Sequence, residues 1–102
     1  MIKLALFASL EAKPGKEADV AAFLEAGLAM ARAETTTPIW FALRLSPTTF
    51  GVFDAFHNED GRQRHLSGPI AQALMAKAPE LFAGPPTIDP IEVLGLKNDG
   101  SL

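Results

Sequence analysis

Residues 38–57, PIWFALRLSPTTFGVFDAFH, decide the fold because they hold two runs of aromatic and aliphatic residues separated by a turn. The runs, 39–45 and 50–56, flank Ser46-Pro47-Thr48-Thr49, and this pattern predicts an antiparallel β-hairpin. If Leu45 closes against Phe50, Phe41 faces Asp54. One face of the hairpin then carries Ile39, Phe41, Leu43, Leu45, Phe50, Val52, Asp54 and Phe56. The other face carries Trp40, Ala42, Arg44, Gly51, Phe53 and Ala55.

Both faces of this predicted hairpin are largely apolar. A sheet with one face in water alternates between apolar and polar residues, so both faces here need a cover. A chain of 102 residues has helices enough for one side only. We therefore expect a second copy of the chain to cover the other side, which makes the protein a homodimer.

Size and composition restrict the function further. The chain is 48% hydrophobic, which suits one globular domain over residues 1–97 with a tail at 98–102. A net charge of -3 argues against a nucleic-acid partner, which would need many Lys and Arg residues. The absence of cysteine excludes disulfides and thiolate metal sites and fits a reducing cytoplasm. We read the apolar N-terminus as a strand rather than a signal peptide, and no apolar run is long enough for a membrane span.

The remaining elements follow from spacing. Residues 2–12 alternate as a first strand, with Phe7 and Ser9 on one face. Residues 16–34 repeat apolar side chains at helical spacing, and Gly27 lies within that apolar stripe, where it could allow close packing against a strand or a ligand.

After the hairpin, Asn58 is expected to cap a second helix. Ser67-Gly68-Pro69 interrupts that helix, and Ser67 is expected to cap its continuation. Residues 88–97 form the last strand, whose proline, Pro90, suits a sheet edge. The order is β-α-β-β-α-β, which predicts an α+β, ferredoxin-like fold: a four-stranded antiparallel sheet with helices on one face.

His65 and Asp54 are the candidates for chemistry. His65 on the second helix could point between helix and sheet and act as a general base, or it could be half-buried and bonded to backbone. Asp54 lies among apolar neighbours and needs a partner; Arg44 suits it by charge but lies on the opposite face in the register above. Asp54 could pair at the sheet edge or orient a ligand. His57 is expected to be exposed, and the two histidines lack the spacing of a metal site.

The aromatic residues Trp40, Phe41, Phe53 and Phe56 suit the core or a dimer interface, or the wall of a pocket for a flat ligand. No phosphate loop, dinucleotide fingerprint, nucleophile elbow or zinc signature is present.

Several stretches together resemble the antibiotic biosynthesis monooxygenase family, including its quinol monooxygenase-like members, over residues 2–97. They are Lys13-Pro14-Gly15-Lys16-Glu17, Trp40, the run 50–56, and His65-Leu66. The resemblance implies a dimeric α+β barrel that oxygenates a phenol or quinol without metal or flavin. His65 matches the family's helix histidine, Trp40 an aromatic of the second strand, and Asp54 with Phe56 an acid-x-Trp pair.

Two departures from the family pattern matter. Phe56 replaces the usual tryptophan, and Ser9 stands where haem-degrading relatives have Asn, which argues against haem degradation. The leading expectation is a cytoplasmic homodimer that oxygenates a small aromatic molecule, with no cofactor. His65 would remove the phenolic proton, while Phe7, Ser9, Trp40, Phe41, Arg44, Asp54 and Phe56 would contact the substrate. The alternatives are a barrel that only binds or dimerises, and an isomerase or decarboxylase that works without oxygen.

Overall fold

The computed structural model describes residues 1–98, and its elements follow the predicted order. They are β1 (Leu4–Glu11), α1 (Glu17–Ala33), β2 (Ile39–Arg44), β3 (Thr49–Phe56), α2 (Glu59–Leu66), α3 (Pro69–Leu81) and β4 (Thr87–Glu92). The four strands form one antiparallel sheet in the order β2-β3-β1-β4. This confirms the α+β ferredoxin-like fold, and β4 with Pro90 lies at the sheet edge as predicted, but the strand ends at Glu92 rather than at residue 97. The tail at 98–102 lies, apart from Asn98, outside the described residues.

The core lies between the sheet and the helices. From the sheet, Leu10 and Phe50 are almost completely buried, and from α1 so is Val20. Leu24 and Leu74 of the two long helices pack into the same cluster. We call this side of the sheet the helix face and the other side the open face. Burial of these large apolar groups supplies most of the driving force for folding.

The hairpin register differs from the prediction by one residue. Phe41 pairs with Phe53 rather than Asp54, and Trp40 pairs with Asp54. The cause is the turn, where the Leu45 and Ser46 amides both donate to the Thr49 carbonyl and the Ser46 hydroxyl accepts from the Thr49 amide at 3.0 Å. A serine side chain that bonds its own turn is a common way to tighten it.

This shift changes which residues share a face. Trp40 and Arg44 move to the helix face together with Asp54, because alternate residues of paired strands project to the same side. Phe41 moves to the open face together with Phe53, and their ring centroids lie 6.3 Å apart. Phe7, which pairs with Phe53 from β1, is on the open face as well.

The helix ends agree with the prediction except at Ser67. The Asn58 side chain caps α2 by accepting from the Gly61 amide at 2.9 Å, as expected. Gly68, not Ser67, is the N-cap of α3, and Pro69 follows at the first helical position. The Ser67 hydroxyl instead donates back to the Gln63 carbonyl at 3.0 Å, where it satisfies the free end of α2. No helix within residues 1–98 has the length and apolar character needed to cross a bilayer.

Candidate functional site

An apolar cavity of about 120 Å³ lies between the helix face of the sheet and helices α1 and α3. Its walls are mostly aliphatic, and the polar side chains that reach it are Asp54 and His65, together with the indole of Trp40. The cavity is concave and apolar with a few convergent polar groups, which is typical of small-molecule sites. The aliphatic and other apolar lining comes from Leu6, Ala8 and Val52 of the sheet, Phe23, Gly27 and Met30 of α1, and Ile70 and Leu74 of α3.

His65 is buried between two carboxylates. Its Nε2 lies 2.8 Å from Asp54 Oδ2 on β3, and its Nδ1 lies 2.7 Å from Glu34 Oε1 at the end of α1. Thr37 donates its hydroxyl to the same Glu34 oxygen at 2.8 Å and so orients the carboxylate. The phenyl ring of Phe56 packs on the imidazole with a centroid distance of 5.5 Å. We call Glu34, His65 and Asp54 the acid–histidine triad.

The geometry of the triad favours the charged imidazolium. A neutral imidazole has a single N–H and could donate to only one of the two carboxylates. Burial alone would lower the pKa of His65, but the hydrogen bonds and charges of Asp54 and Glu34 outweigh it and raise that pKa. Burial raises the pKa of Asp54 by more than the contact with His65 lowers it. The pair therefore holds its protons more tightly than the free side chains would.

Two polar atoms beside this cavity have no partner among the described residues. They are Asp54 Oδ1, an acceptor, and Trp40 Nε1, a donor, and both are buried. The two residues are direct neighbours across β2 and β3 on the helix face. A buried donor or acceptor without a partner costs about 1–3 kcal/mol. A ligand that both donates to Asp54 and accepts from Trp40 would recover this cost.

Gly27 of α1 makes room for the Trp40 ring. A Cβ added at Gly27 would lie 3.4 Å from Cη2 of the indole. The expectation of close packing against a strand residue is therefore confirmed, and the same glycine lines the cavity.

The structure brings together only some of the residues predicted for the site. Trp40, Asp54 and His65 line the cavity, and Phe56 reaches it only through the imidazole. Arg44 is on the helix face but lies over the Phe50 ring at 4.7 Å and does not line the cavity. It does not pair with Asp54, whose partner is His65.

Three other predicted contacts lie elsewhere. Phe7, Ser9 and Phe41 are on the open face, on the far side of the sheet from the cavity. Phe7 and Ser9 were placed on one face by strand alternation, and that grouping is correct, but the face is not the one that meets the helices. His57 is exposed, as expected.

Glu34 is the site residue that sequence reasoning missed. It follows the last turn of α1 as the C-cap residue, and it is 31 positions from the histidine that it contacts. The one signal in the sequence was an acid four residues before Pro38, in a segment that ends a helix. Within residues 1–98, no group of three or more His, Cys, Asp or Glu residues could hold a metal ion. The triad carboxylates approach His65 at its two separate nitrogens rather than converging on one point.

Comparison with solved structures identifies similar proteins. The NE2512 protein of unknown function from Nitrosomonas europaea is 57% identical, with coverage of 96% of this chain and 95% of that chain and a TM-score of 0.94. Rv0793 from Mycobacterium tuberculosis is 18% identical, with coverage of 94% and 99% and a TM-score of 0.81. A protein named "putative antibiotic biosynthesis monooxygenase" from Caulobacter crescentus is 18% identical, with coverage of 92% of each chain and a TM-score of 0.78. No family model and no curated protein sequence matches the chain.

Proposed function

This chain belongs to the same family as the Nitrosomonas europaea protein NE2512 and has the fold of the antibiotic biosynthesis monooxygenases, and from this premise we propose that it oxygenates a small phenol or quinol. The resemblance seen in the sequence is thereby confirmed at the level of the fold. The proposal needs a pocket for an aromatic ring, a group that takes the phenolic proton, and access for dioxygen.

The unpaired atoms of Asp54 and Trp40 carry the proposal. They belong to two of the few side chains with polar atoms that line an otherwise apolar cavity. A phenolic hydroxyl both donates and accepts, so it could bond Asp54 Oδ1 and Trp40 Nε1 at once while its ring lies against aliphatic side chains. An engineered apolar cavity of about 150 Å³ binds benzene, and the cavity here, at about 120 Å³, is of the same order and limits the ligand to a single ring.

Asp54, rather than His65, is the proton acceptor in this proposal. His65 was expected in that role, but both of its ring nitrogens are engaged by carboxylates. Asp54 Oδ1 is free, and its raised pKa brings it closer to that of a phenol, about 10, and makes it a stronger base. His65 acts through Asp54, since it holds the carboxylate in place.

The chemistry balances with dioxygen as the oxidant. Transfer of the hydroxyl proton to Asp54 leaves a phenolate, whose electron-rich ring carbon can reduce dioxygen and form a C–O bond. For a quinol, one oxygen atom enters the ring and the other leaves as water, so quinol plus dioxygen gives hydroxyquinone plus water. The aliphatic walls keep bulk water away from the anion.

The test is dioxygen consumption with a panel of single-ring phenols and quinols. Asp54→Asn keeps the shape but removes the base, and we expect a loss of about 10²- to 10⁴-fold in the rate. Asp19→Asn, the same change at an exposed position of α1, is the matched control and should behave as wild type.

Three results would contradict the proposal. They are equal rates in wild type and Asp54→Asn, unchanged dioxygen consumption in His65→Ala, and turnover of the substrates under nitrogen. Binding of phenols without any turnover would instead identify a non-catalytic binding barrel. A barrel that only dimerises would have side chains filling the space between helix and sheet, so the cavity beside the triad favours a protein that binds a ligand.

We also propose that the active form is a cytoplasmic homodimer. Phe41 on the open face is 48% exposed in the single chain, and Ile39, Leu43, Phe53 and Phe7 surround it as half-buried apolar neighbours. A contiguous apolar patch of this kind is typical of a protein interface. A second copy related by a two-fold axis would cover it with the same residues.

A further inference from the structure

Glu34 has no part in the mechanism above, although its carboxylate is largely buried beside the imidazole of His65. Its side chain is only 15% exposed, it contacts the imidazole of His65, and its Oε2 has no partner among the described residues. It does not line the cavity. It borders a separate surface groove instead, together with Arg64, Ser67 and Gly68.

The triad therefore runs from the cavity to the surface in two short steps. Asp54 lines the cavity, its Oδ2 meets His65 Nε2 at 2.8 Å, and His65 Nδ1 meets Glu34 Oε1 at 2.7 Å. Both distances are those of charge-assisted hydrogen bonds. The unpartnered Oε2 is itself buried at the wall of this groove, so exchange of a proton with water there requires a local opening of the wall.

We propose that Glu34 is the outlet of a proton relay. When Asp54 takes a proton from the hydroxyl of a bound ligand, Glu34 releases one proton to solvent. This inference rests on the proposed function, since it requires a hydroxyl-bearing ligand at Asp54. It adds a role for a residue that does not touch the ligand, and so Glu34 is a positioning residue that acts through His65.

The steps conserve both protons and charge. The ligand O–H bond breaks and a bond from hydrogen to Asp54 Oδ1 forms. His65 then gives its Nδ1 proton to Glu34 and becomes neutral, while its Nε2–H still faces Asp54. Glu34 passes the proton to water in the groove. The triad carries one negative charge before and after these steps, and the additional negative charge of the site is that of the phenolate bound in the cavity.

The charged groups around His65 leave these two carboxylates as its partners. Asp54 faces it from β3 and Glu34 from the end of α1. Its neighbours on α2, Arg62 and Arg64, form ion pairs with Glu59 and Asp60 on the same helix. A purely structural role for Glu34 would be to hold the ring in place, and an amide could perform that role because its oxygen also accepts from Nδ1–H.

Proton counting separates these two roles. The probe is 4-nitrophenol, used at a pH where the free compound is neutral. Titration calorimetry is repeated in buffers with different heats of ionisation. The dependence of the measured heat on the buffer gives the number of protons released per ligand bound. For the wild type and for Glu25→Gln, an exposed glutamate of the same helix, we expect release of about one proton. Glu34→Gln should bind the probe and release none. The methyl ether 4-nitroanisole, which has no proton to give, should release none from any variant.

The outcomes distinguish the relay from the proposed function. If the wild type binds 4-nitrophenol without proton release, or Glu34→Gln releases as many protons as wild type, the relay is wrong and the phenol site still stands. If no variant binds 4-nitrophenol, the phenol site is wrong and the relay falls with it.

A second measurement needs no variant at Glu34. Ring nitrogen chemical shifts of His65, with exposed His57 as the internal reference, should show that probe binding converts His65 from charged to neutral. An imidazolium that persists in the complex would overturn the relay.

Discussion

The two faces of the sheet are both largely apolar, but they differ in whether they hold buried polar atoms without a partner. On the helix face, Asp54 and Trp40 keep buried polar atoms that no residue of the described chain satisfies. On the open face, the central residues Phe7, Phe41 and Phe53 are aromatic and leave no such atom. Apolar surface alone can be covered by any complementary apolar surface, whereas an unpaired donor and acceptor require a specific ligand. This difference supports our proposals that the open face binds a partner chain and that the helix face binds a small molecule.

The largest expected effect comes from a charge on the open face. Phe41→Glu would place a carboxylate at the centre of the proposed dimer interface, and we expect dimer dissociation to become easier by roughly 30-fold or more. Met75→Glu makes a similar change at an exposed position of α3 and should leave the assembly unchanged. Sedimentation velocity over a concentration series measures both. If the wild type is a monomer at micromolar concentration, the open face does not bind a second copy and the proposed difference between the two faces is wrong.

On the helix face, Trp40→Phe should weaken binding of hydroxylated ligands. The change removes the Nε1 donor but keeps an aromatic ring, and one lost neutral hydrogen bond is worth about 1 kcal/mol, or roughly 5-fold in affinity. Calorimetry with 4-methylphenol and toluene measures the effect, since toluene lacks the hydroxyl. An equal loss for both ligands would show that the ring, not the donor, matters.

The acid–histidine triad should also make stability depend on pH. The pKa of His65 is raised by folding, so its contribution is fully present below the ordinary value of 6.5 and is lost as the pH rises through the folded-state pKa. The pKa of Asp54 is raised as well, above its ordinary 3.8, and its contribution falls in the same direction. We expect the free energy of unfolding to decrease as the pH rises above 6.5.

Urea unfolding across that pH range tests this expectation. His65→Gln should flatten the decrease, because the group that titrates is gone. His57→Gln, at the exposed histidine, is the control and should keep it. Stability that rises with pH in this range would contradict the charge assignment of the triad.

The smallest expected effect is at Gly27. Alanine is favoured over glycine in a helix by up to about 1 kcal/mol, and the new methyl would meet the Trp40 ring at an ordinary contact distance of 3.4 Å. Gly27→Ala should therefore raise the free energy of unfolding slightly while it narrows the cavity and weakens phenol binding. Ala22→Gly, an exposed position of α1, calibrates the helix contribution alone. A destabilised Gly27→Ala protein would show that the indole cannot move.

Local patterns were enough to predict the fold. Alternation in β1, helical spacing in α1, the Asn58 cap and the edge position of proline-containing β4 were all correct, because each depends on residues close in sequence. The hairpin register was not, since it depends on the geometry of the turn, where the Leu45 and Ser46 amides bond the Thr49 carbonyl and the Ser46 hydroxyl bonds the Thr49 amide. The resulting shift of one residue placed Trp40 beside Asp54 and moved Phe41 away from the site.

The site was predicted less well than the fold because its contacts are long-range. His65 and Asp54 were identified as candidates, but neither the partner of Asp54 nor the contribution of Glu34 follows from spacing. A cavity is a space that side chains leave unfilled, and it depends on how α1, α3 and the sheet pack together. No periodicity in a sequence reports such a space.

Trp40 is the only tryptophan of the chain, which contains no tyrosine. Its indole lines the cavity and its Nε1 has no protein partner. Intrinsic fluorescence of this protein therefore comes from one fluorophore at the proposed binding site. Occupancy of the cavity should be visible as a shift in emission wavelength or as quenching, without any label.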